Sequence, residues 1–257
     1  MSPDWLTNLS LAFLILGVIC ALVLAIDVLR HPPSMTVMAF VWPLCALSGS
    51  ALVVWFYWTH ARERQPHPTH AMASAHTRNS HATPGNHAHM ADQMPASSRS
   101  IVSVAKGTLH CGAGCTLGDV VAEALATSFP AVTTVFGYGT LFTDRIFAVW
   151  CIDFILAFAI GIAFQYVAIA PMRNLGLKEG LLAALKADAA SLVSWQVGMY
   201  TIMALAHFLV FRHLLQANID ATDPVFWFAM QIAMLAGFLT AYPVNRKLIA
   251  AGIKHPM

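Results

Sequence analysis

The chain has 257 residues, 58% hydrophobic and only 10% charged, with a mean hydropathy of +0.66. A water-soluble domain is about 25% charged, so a soluble globule is excluded. A net charge of +2 on 14 Lys and Arg against 12 Asp and Glu leaves no basic surface for a nucleic-acid partner.

The opening residues, MSPDWLTNLS, carry no Lys or Arg, and no small-residue cleavage site follows the first apolar run. That run, Leu9 to Ile26, is expected to stay in the mature protein. A second run, Met35 to Trp58, is long enough to cross a hydrocarbon core, which takes roughly 20 apolar residues. Residues 1–59 therefore read as an N-terminal transmembrane hairpin. From 60 to 100 nearly all aliphatic residues disappear and Pro, Ser, Thr and Asn accumulate, the composition of a disordered linker. His60, His67, His70, His76, His81, His87 and His89 lie in it, with Met72 among them and Met90 and Met94 just after. A His-rich tract of this kind binds metal labilely; without fixed geometry it acts as a concentrating arm.

Residues 101–257 read as a four-helix membrane domain. Its first span, between Cys111 and Phe136, carries Asp119 and Glu123, costly at the centre of a bilayer. Ile146 to Ala170, Ala189 to Phe211 and Pro224 to Val244 complete it. Between Ile146 to Ala170 and Ala189 to Phe211 lies LGLKEGLLAALKAD, with Leu177, Leu181, Leu182 and Leu185 on one face and Lys178, Lys186 and Asp188 around the other, the pattern of an interfacial amphipathic helix. Counting six spans places eleven Lys and Arg on one side against Arg30, Arg145 and Arg212 on the other, whereas five spans divide them seven to seven. Positive charge concentrates in cytoplasmic loops. The expectation is an all-α polytopic membrane protein of about six transmembrane helices, in a bacterial inner membrane, with both termini and the His-rich loop cytoplasmic.

Chemistry concentrates in HCGAGCTLGDVVAE. Cys111, Cys115, Asp119 and Glu123 recur every four residues down one helix face, beside a small-residue series, Gly114, Gly118, Ala122 and Ala126, that lets a neighbouring helix approach closely. Thiolate and imidazole, here with His110, are ligands for copper or zinc, although Cys and Gly also serve simply as small packing residues. Met199, Met203 and His207 repeat the interval of four in the fifth span; Met at helical spacing is also common core filler. Asp153 and Gln165 are further intramembrane polar residues, sharing a face with Ala157 and Gly161. The spans at Gly112 to Pro130 and Gly237 to Pro243 look interrupted, as at transporter sites.

From Lys106 onward the segments KGTLHCGAGCTLGD, FAIGIAFQYVAIAPM, LKADAASLVSWQVGMYTIMA and FWFAMQIAMLAGFLTAYPVNRKLIAAGIKHPM resemble the bacterial multi-pass membrane family catalogued as domain of unknown function 4396. The resemblance implies an integral membrane domain and no particular activity. On its motif positions fall His110, Cys111, Cys115, Asp119, Asp188, Met199, Met203, Pro243 and Asn245.

The leading expectation is a non-enzymatic protein that binds and transports a transition metal ion, copper before zinc. The metal residues are His110, Cys111, Cys115, Asp119, Glu123, Met199, Met203 and His207, and the partners are the lipid bilayer and a soluble metal donor or acceptor. Two other classes fit: a membrane thiol redox protein using Cys111 and Cys115, one residue longer than C-x-x-C, and a non-catalytic assembly factor that needs only the small-residue faces. No nucleotide-binding motif is present.

Overall fold

A computed structural model describes residues 3–33, 35–62, 96–173 and 176–254. The six linker histidines from His67 to His89 lie outside the described residues. The helices are α1 (Asp4–Arg30), α2 (Met38–Phe56, extended by a π-helical turn Tyr57–Ala61), α3 (Ala96–Ser128), the short α4 (Ala131–Val135), α5 (Arg145–Arg173), α6 (Leu177–Ala204, extended as π-helix Leu205–Leu214) and α7 (Pro224–Ala250). Five segments are long and apolar enough to cross a membrane: Asp4–Arg30, Met38–Ala61, Arg145–Ile169, Leu177–Leu214 and Pro224–Ala250. Helix α3 is as long, with 33 residues, but more polar, and it runs through the middle of the bundle against α2, α5, α6 and α7. The protein is an all-α helical membrane protein. Ile15, Ile19, Leu22, Leu205 and Leu239 face outward, a surface that only lipid accommodates.

Helix α2 departs from expectation. Ser50 adopts φ 42° and ψ −127°, a conformation disfavoured for any residue with a Cβ, and the chain folds back on itself there. The Trp42 ring lies 5.2 Å from that of Tyr57; on a straight helix fifteen residues separate two positions by about 22 Å. Tyr57 donates to Asp27 Oδ2 at 2.8 Å and Arg62 pairs with Asp27 Oδ1 at 2.9 Å. The returning half of α2 therefore ends beside the C-terminal end of α1. The turn sits beside Gly17, mid-way along α1, where an added Cβ would come within 2.6 Å of Leu47 O. Met35 to Trp58 is thus a re-entrant pair of half-helices rather than one straight crossing. Length and apolarity are the same for both arrangements; only the reversal at Ser50 separates them.

This reversal sets the sidedness. One end of the bundle gathers the C-terminal end of α1, both ends of α2, the start of α3, the end of α5, the start of α6 and the tail after α7. The other holds the start of α1 and the α5, α6 and α7 ends near Arg145, Leu214 and Pro224. Phe13 packs on Phe228 at 5.1 Å because α1 and α7 run parallel. The start of α1 accordingly lies at the opposite end from Lys254, where the sequence had placed both termini together. Among the described Lys and Arg residues, only Arg145 and Arg212 sit at the far end. The charge asymmetry is sharper than the six-span count gave, since Arg30 joins the basic end.

The small-residue series on α3 meets α5 as its spacing implied. A Cβ on Gly114 would lie 2.8 Å from the Gly161 backbone, and one on Gly118 2.6 Å from that of Ala157; Ala122 and Ala126 continue the seam against Val149 and Ile152. Helices α3 and α7 are continuous where the sequence looked interrupted. Pro130 follows the end of α3, and α7 passes through Pro243, clasped to α6 by Ser194 Oγ donating to Thr240 O at 2.9 Å and Thr240 Oγ1 donating to Ser194 O at 2.7 Å. The amphipathic segment from Leu177 forms the first turns of α6, its leucines outward.

Two outcomes test this fold. Gly118→Val should cost about 1–3 kcal/mol by overpacking and lower the melting temperature in detergent, whereas Gly176→Ala, with nothing within 4 Å, should leave it unchanged. In a cysteine-free background, Trp5→Cys and Arg62→Cys should react with an impermeant maleimide from opposite sides of sealed vesicles; labelling from one side would contradict the re-entrant α2.

Candidate cation site

Two polar networks are buried along α3. The first surrounds Cys111, whose thiol donates to Asp188 Oδ1 at 2.8 Å and accepts from Ser191 Oγ at 3.1 Å. Lys254, in the tail after α7, is inserted among them and fully buried. Its ammonium donates to Asp188 Oδ1 at 2.6 Å, Asn245 Oδ1 at 2.8 Å, Cys111 Sγ at 3.2 Å and Gly107 O at 3.3 Å. Burial alone would lower the Lys254 pKa, but the facing Asp188 carboxylate and Cys111 hold it above the ordinary lysine value. Raised in this way, the pair's stabilisation is fully present below the free-lysine pKa of about 10.4 and is lost only as pH rises through the higher folded value. A second donor set thus closes the Cys111 end of α3, and the cation it holds is the protein's own.

The second network lies two to three turns along α3. The Asp119 side chain is hydrogen-bonded to that of Asp153 on α5. Asp153 Oδ2 also accepts from Tyr200 Oη at 2.7 Å and Gln196 Nε2 at 3.2 Å. Asp119 Oδ2 and Asp153 Oδ1 have no other hydrogen-bond partner. No Lys or Arg hydrogen-bonds to either carboxyl among the described residues. Two carboxyls in contact cannot both be ionised without a proton or a cation between them. Cys115 shares a buried cluster with Met199, Met203, Trp195 and Met234. Glu123, one turn beyond Asp119, is buried and is acted on by Arg145 and Asp220; Asp220, in the loop before α7, is itself held below its usual pKa by hydrogen bonds from the Thr222 side chain and backbone.

Asp119 also lines a cavity of about 180 Å³ between α1, α2, α3 and α7, together with Ser48, Thr116, Met230, Gln231 and Met234. Leu47 and Ser48, the last turn of the first half of α2, form one wall. A helix C-terminus carries partial negative charge, and a half-helix carbonyl end at membrane depth is a cation-binding element. Leu47 O accepts from Gln231 Nε2 at 2.7 Å. The cavity walls thus bring together Asp119, the end of the first half of α2 and two methionines.

The sequence-predicted residues are divided among these places. Asp119, Glu123, Asp153 and Cys115 come together, with Met199 and Met203 buried in the same core. Cys111 belongs to the Lys254 network. His110 turns the other way, with Phe164 at 6.2 Å, and neither ring nitrogen has a hydrogen-bond partner. His207 sits towards the far end against Phe208 and Phe211, and Gln165 is buried on α5. His60, in the turn after α2, is exposed and stacks on Phe56. Among the described residues no group of three or more His, Cys, Asp or Glu side chains is placed to hold a metal ion. Sequence reasoning missed Lys254, Ser191 and Ser48. Lys254 was legible only as one more tail lysine, and Asp188 as part of a solvated face. The S-G-S at 48–50 was the available signal for the α2 turn.

A family model described as a domain of unknown function (DUF4396) matches residues 102–254, and the chain belongs to that family. The match runs from α3 to Lys254, so both buried networks lie within it, while α1 and α2 lie outside. No curated protein and no solved structure matches the chain.

The Cys111 network makes one prediction. Lys254→Ala leaves Asp188 uncompensated and should cost about 3–5 kcal/mol, read as loss of thermal stability in detergent. The double change Lys254→Met with Asp188→Leu should recover most of it.

Proposed function

We propose that this family member binds a transition metal ion, Cu(I) before Zn(II), in the cavity beside Asp119 and moves it through the helix bundle. The observation that carries the reading is Asp119, whose buried Oδ2 has no hydrogen-bond partner and which lines a cavity together with Leu47, Met230 and Met234. Thioethers favour Cu(I) over harder cations, and the buried negative charge is stabilised by a cation beside it. Cys115, Met199 and Met203 supply further soft donors in the adjoining core, and His110 and His207 offer unpaired imidazole nitrogens towards the two ends.

The basic end of the bundle faces the cytoplasm of a bacterial inner membrane in this reading, because Lys and Arg concentrate on that side. The His-rich linker then collects ions, exchanged with a soluble donor or acceptor, at the end where α2 enters the bilayer. The ion leaves past Glu123 at the far end.

Purified protein in lipid nanodiscs, titrated with Cu(I) against a chromophoric chelator, should bind one equivalent that survives Cys111→Ala. Asp119→Asn and the paired Met230→Leu/Met234→Leu change should each weaken that equivalent at least tenfold, roughly 1.4 kcal/mol. Equal copper in all variants would overturn the site.

A further inference from the structure

We propose that the crevice between α2, α3 and α7 beside Trp195 binds an isoprenoid quinone, a flat ring with carbonyl acceptors on a hydrocarbon tail. This site is independent of the cation reading above.

Trp195, on α6, is 3% exposed and lies between two glycines. A Cβ on Gly112 of α3 would come within 2.3 Å of its ring, and one on Gly237 of α7 within 2.7 Å of Nε1. Both neighbouring helices thus give up a side chain to admit the indole. A phenylalanine would fill that space with no polar atom. The indole instead brings an N–H, and its buried Nε1 has no hydrogen-bond partner. A donor left without an acceptor is costly in an apolar interior, and buried tryptophans ordinarily find one.

Trp195 also lines a cavity of about 400 Å³, with Cys45, Leu109, Thr116, Phe238 and Leu239 among its walls, a volume within the range of ligand pockets. The thiol and hydroxyls on those walls already have acceptors. Cys45 Sγ donates to Leu109 O at 3.1 Å, Ser48 Oγ to Cys45 O at 3.2 Å and Thr116 Oγ1 to Gly112 O at 2.9 Å. Trp195 is the buried donor still lacking one. Leu52, Trp55 and Leu239 line the same cavity and are exposed on the lipid-facing surface, so an occupant enters from the bilayer.

Depth decides which membrane molecule fits. Gly237 stands thirteen residues from either end of α7, about 20 Å along the helix, so the indole meets α7 near the middle of the bilayer. Phospholipid ester carbonyls lie at the interface, outside the hydrocarbon core, and cannot serve an N–H at that depth. A quinone ring carries acceptors and no donor, and its apolar faces suit aromatic neighbours. Phe238 stands edge-on to Trp195 at 6.4 Å. Along α3 the cavity extends from Ala105 to Thr116, about 16 Å, which gives the tail a path beside the ring.

The test uses the full chain in phosphatidylcholine nanodiscs, with a decyl-substituted ubiquinone analogue compared with decylbenzene, which has a tail and a ring but no acceptor. The fully substituted quinone ring leaves thiols unmodified. In wild type the quinone should raise the melting temperature saturably, with a midpoint at a ligand-to-lipid ratio at least about tenfold below that of decylbenzene. Trp195→Phe keeps a ring and removes the N–H, so it should respond to the two compounds alike. The wild-type comparison needs no variant and stands if Trp195→Phe misfolds. Equal midpoints in wild type would reveal an apolar crevice only and overturn the proposal. A quinone without saturable effect, as when a phospholipid chain holds the crevice, overturns it too, as does a folded Trp195→Phe that keeps the preference. None of these outcomes bears on copper binding beside Asp119.

Discussion

Inside a bilayer every backbone polar group must be satisfied within the protein, and that constraint bears hardest on the reversal of α2 at Ser50. A half-helix that stops in the hydrocarbon exposes its last carbonyls and the next half's first N–H groups. Such an end is tolerated only when packed against protein or lining a cavity. Gln231 on α7 meets Leu47 O, and Gly17 on α1 lets the turn press against that helix with no side chain between them. Helices α1 and α7 therefore lie together at this depth, and the cavity beside Asp119 is the space that the turn leaves between them. The reversal also brings both ends of α2 to one face, which is why the basic residues segregate as they do.

Helix α3 can carry two acids and a buried cysteine pair because its other face is nearly side-chain free. Gly114 and Gly118 bring the α5 backbone into contact, and close approach of this kind supplies dispersion and packing where lipid provides no hydrophobic drive. It also places Asp153 opposite Asp119. A larger residue at 118 would separate the helices and with them the two carboxyls. The small-residue seam and the acidic pair are thus one design feature read from opposite sides of the helix.

Much of this was written in local spacing. The interval-four series on α3 and on α5 implied one polar, tightly packed helix against another, and the apolar runs gave α1, α5 and α7 closely, because helical periodicity and bilayer length are properties of single segments; α6 begins twelve residues before its apolar run. What the sequence concealed depends on partners distant in the chain. Ser50 reverses α2 within an otherwise unremarkable apolar run, with one residue in a left-handed conformation. Asp188 reads as one charge in an amphipathic stretch, and only the arrival of Lys254 from the tail turns it inward. Pro243 looks like a break, yet α7 continues because Ser194 and Thr240 hold the neighbouring turn to α6. The Cys111–Cys115 pair, the most conspicuous motif, is split by its own helix: Cys111 faces α6 and the tail, and Cys115 faces the acidic core.

That split assigns different roles to the two buried charges on α6 and α3. Around Asp188 the compensating cation is covalently part of the chain and makes four hydrogen bonds, so the site is closed and its energy goes into fixing the tail against the bundle. Around Asp119 no Lys or Arg hydrogen-bonds to the carboxyl among the described residues; the wall towards α1, α2 and α7 is a mostly apolar cavity that includes Met230 and Met234, and the wall towards α5 is a second carboxyl. A protein that needed only packing there would place a hydrophobic residue, because a buried ionic group is weak evidence for stability and often costs it. Two carboxyls in contact beside a cavity, with no Lys or Arg hydrogen-bonded to either among the described residues, fit the proposed function better than a packing role.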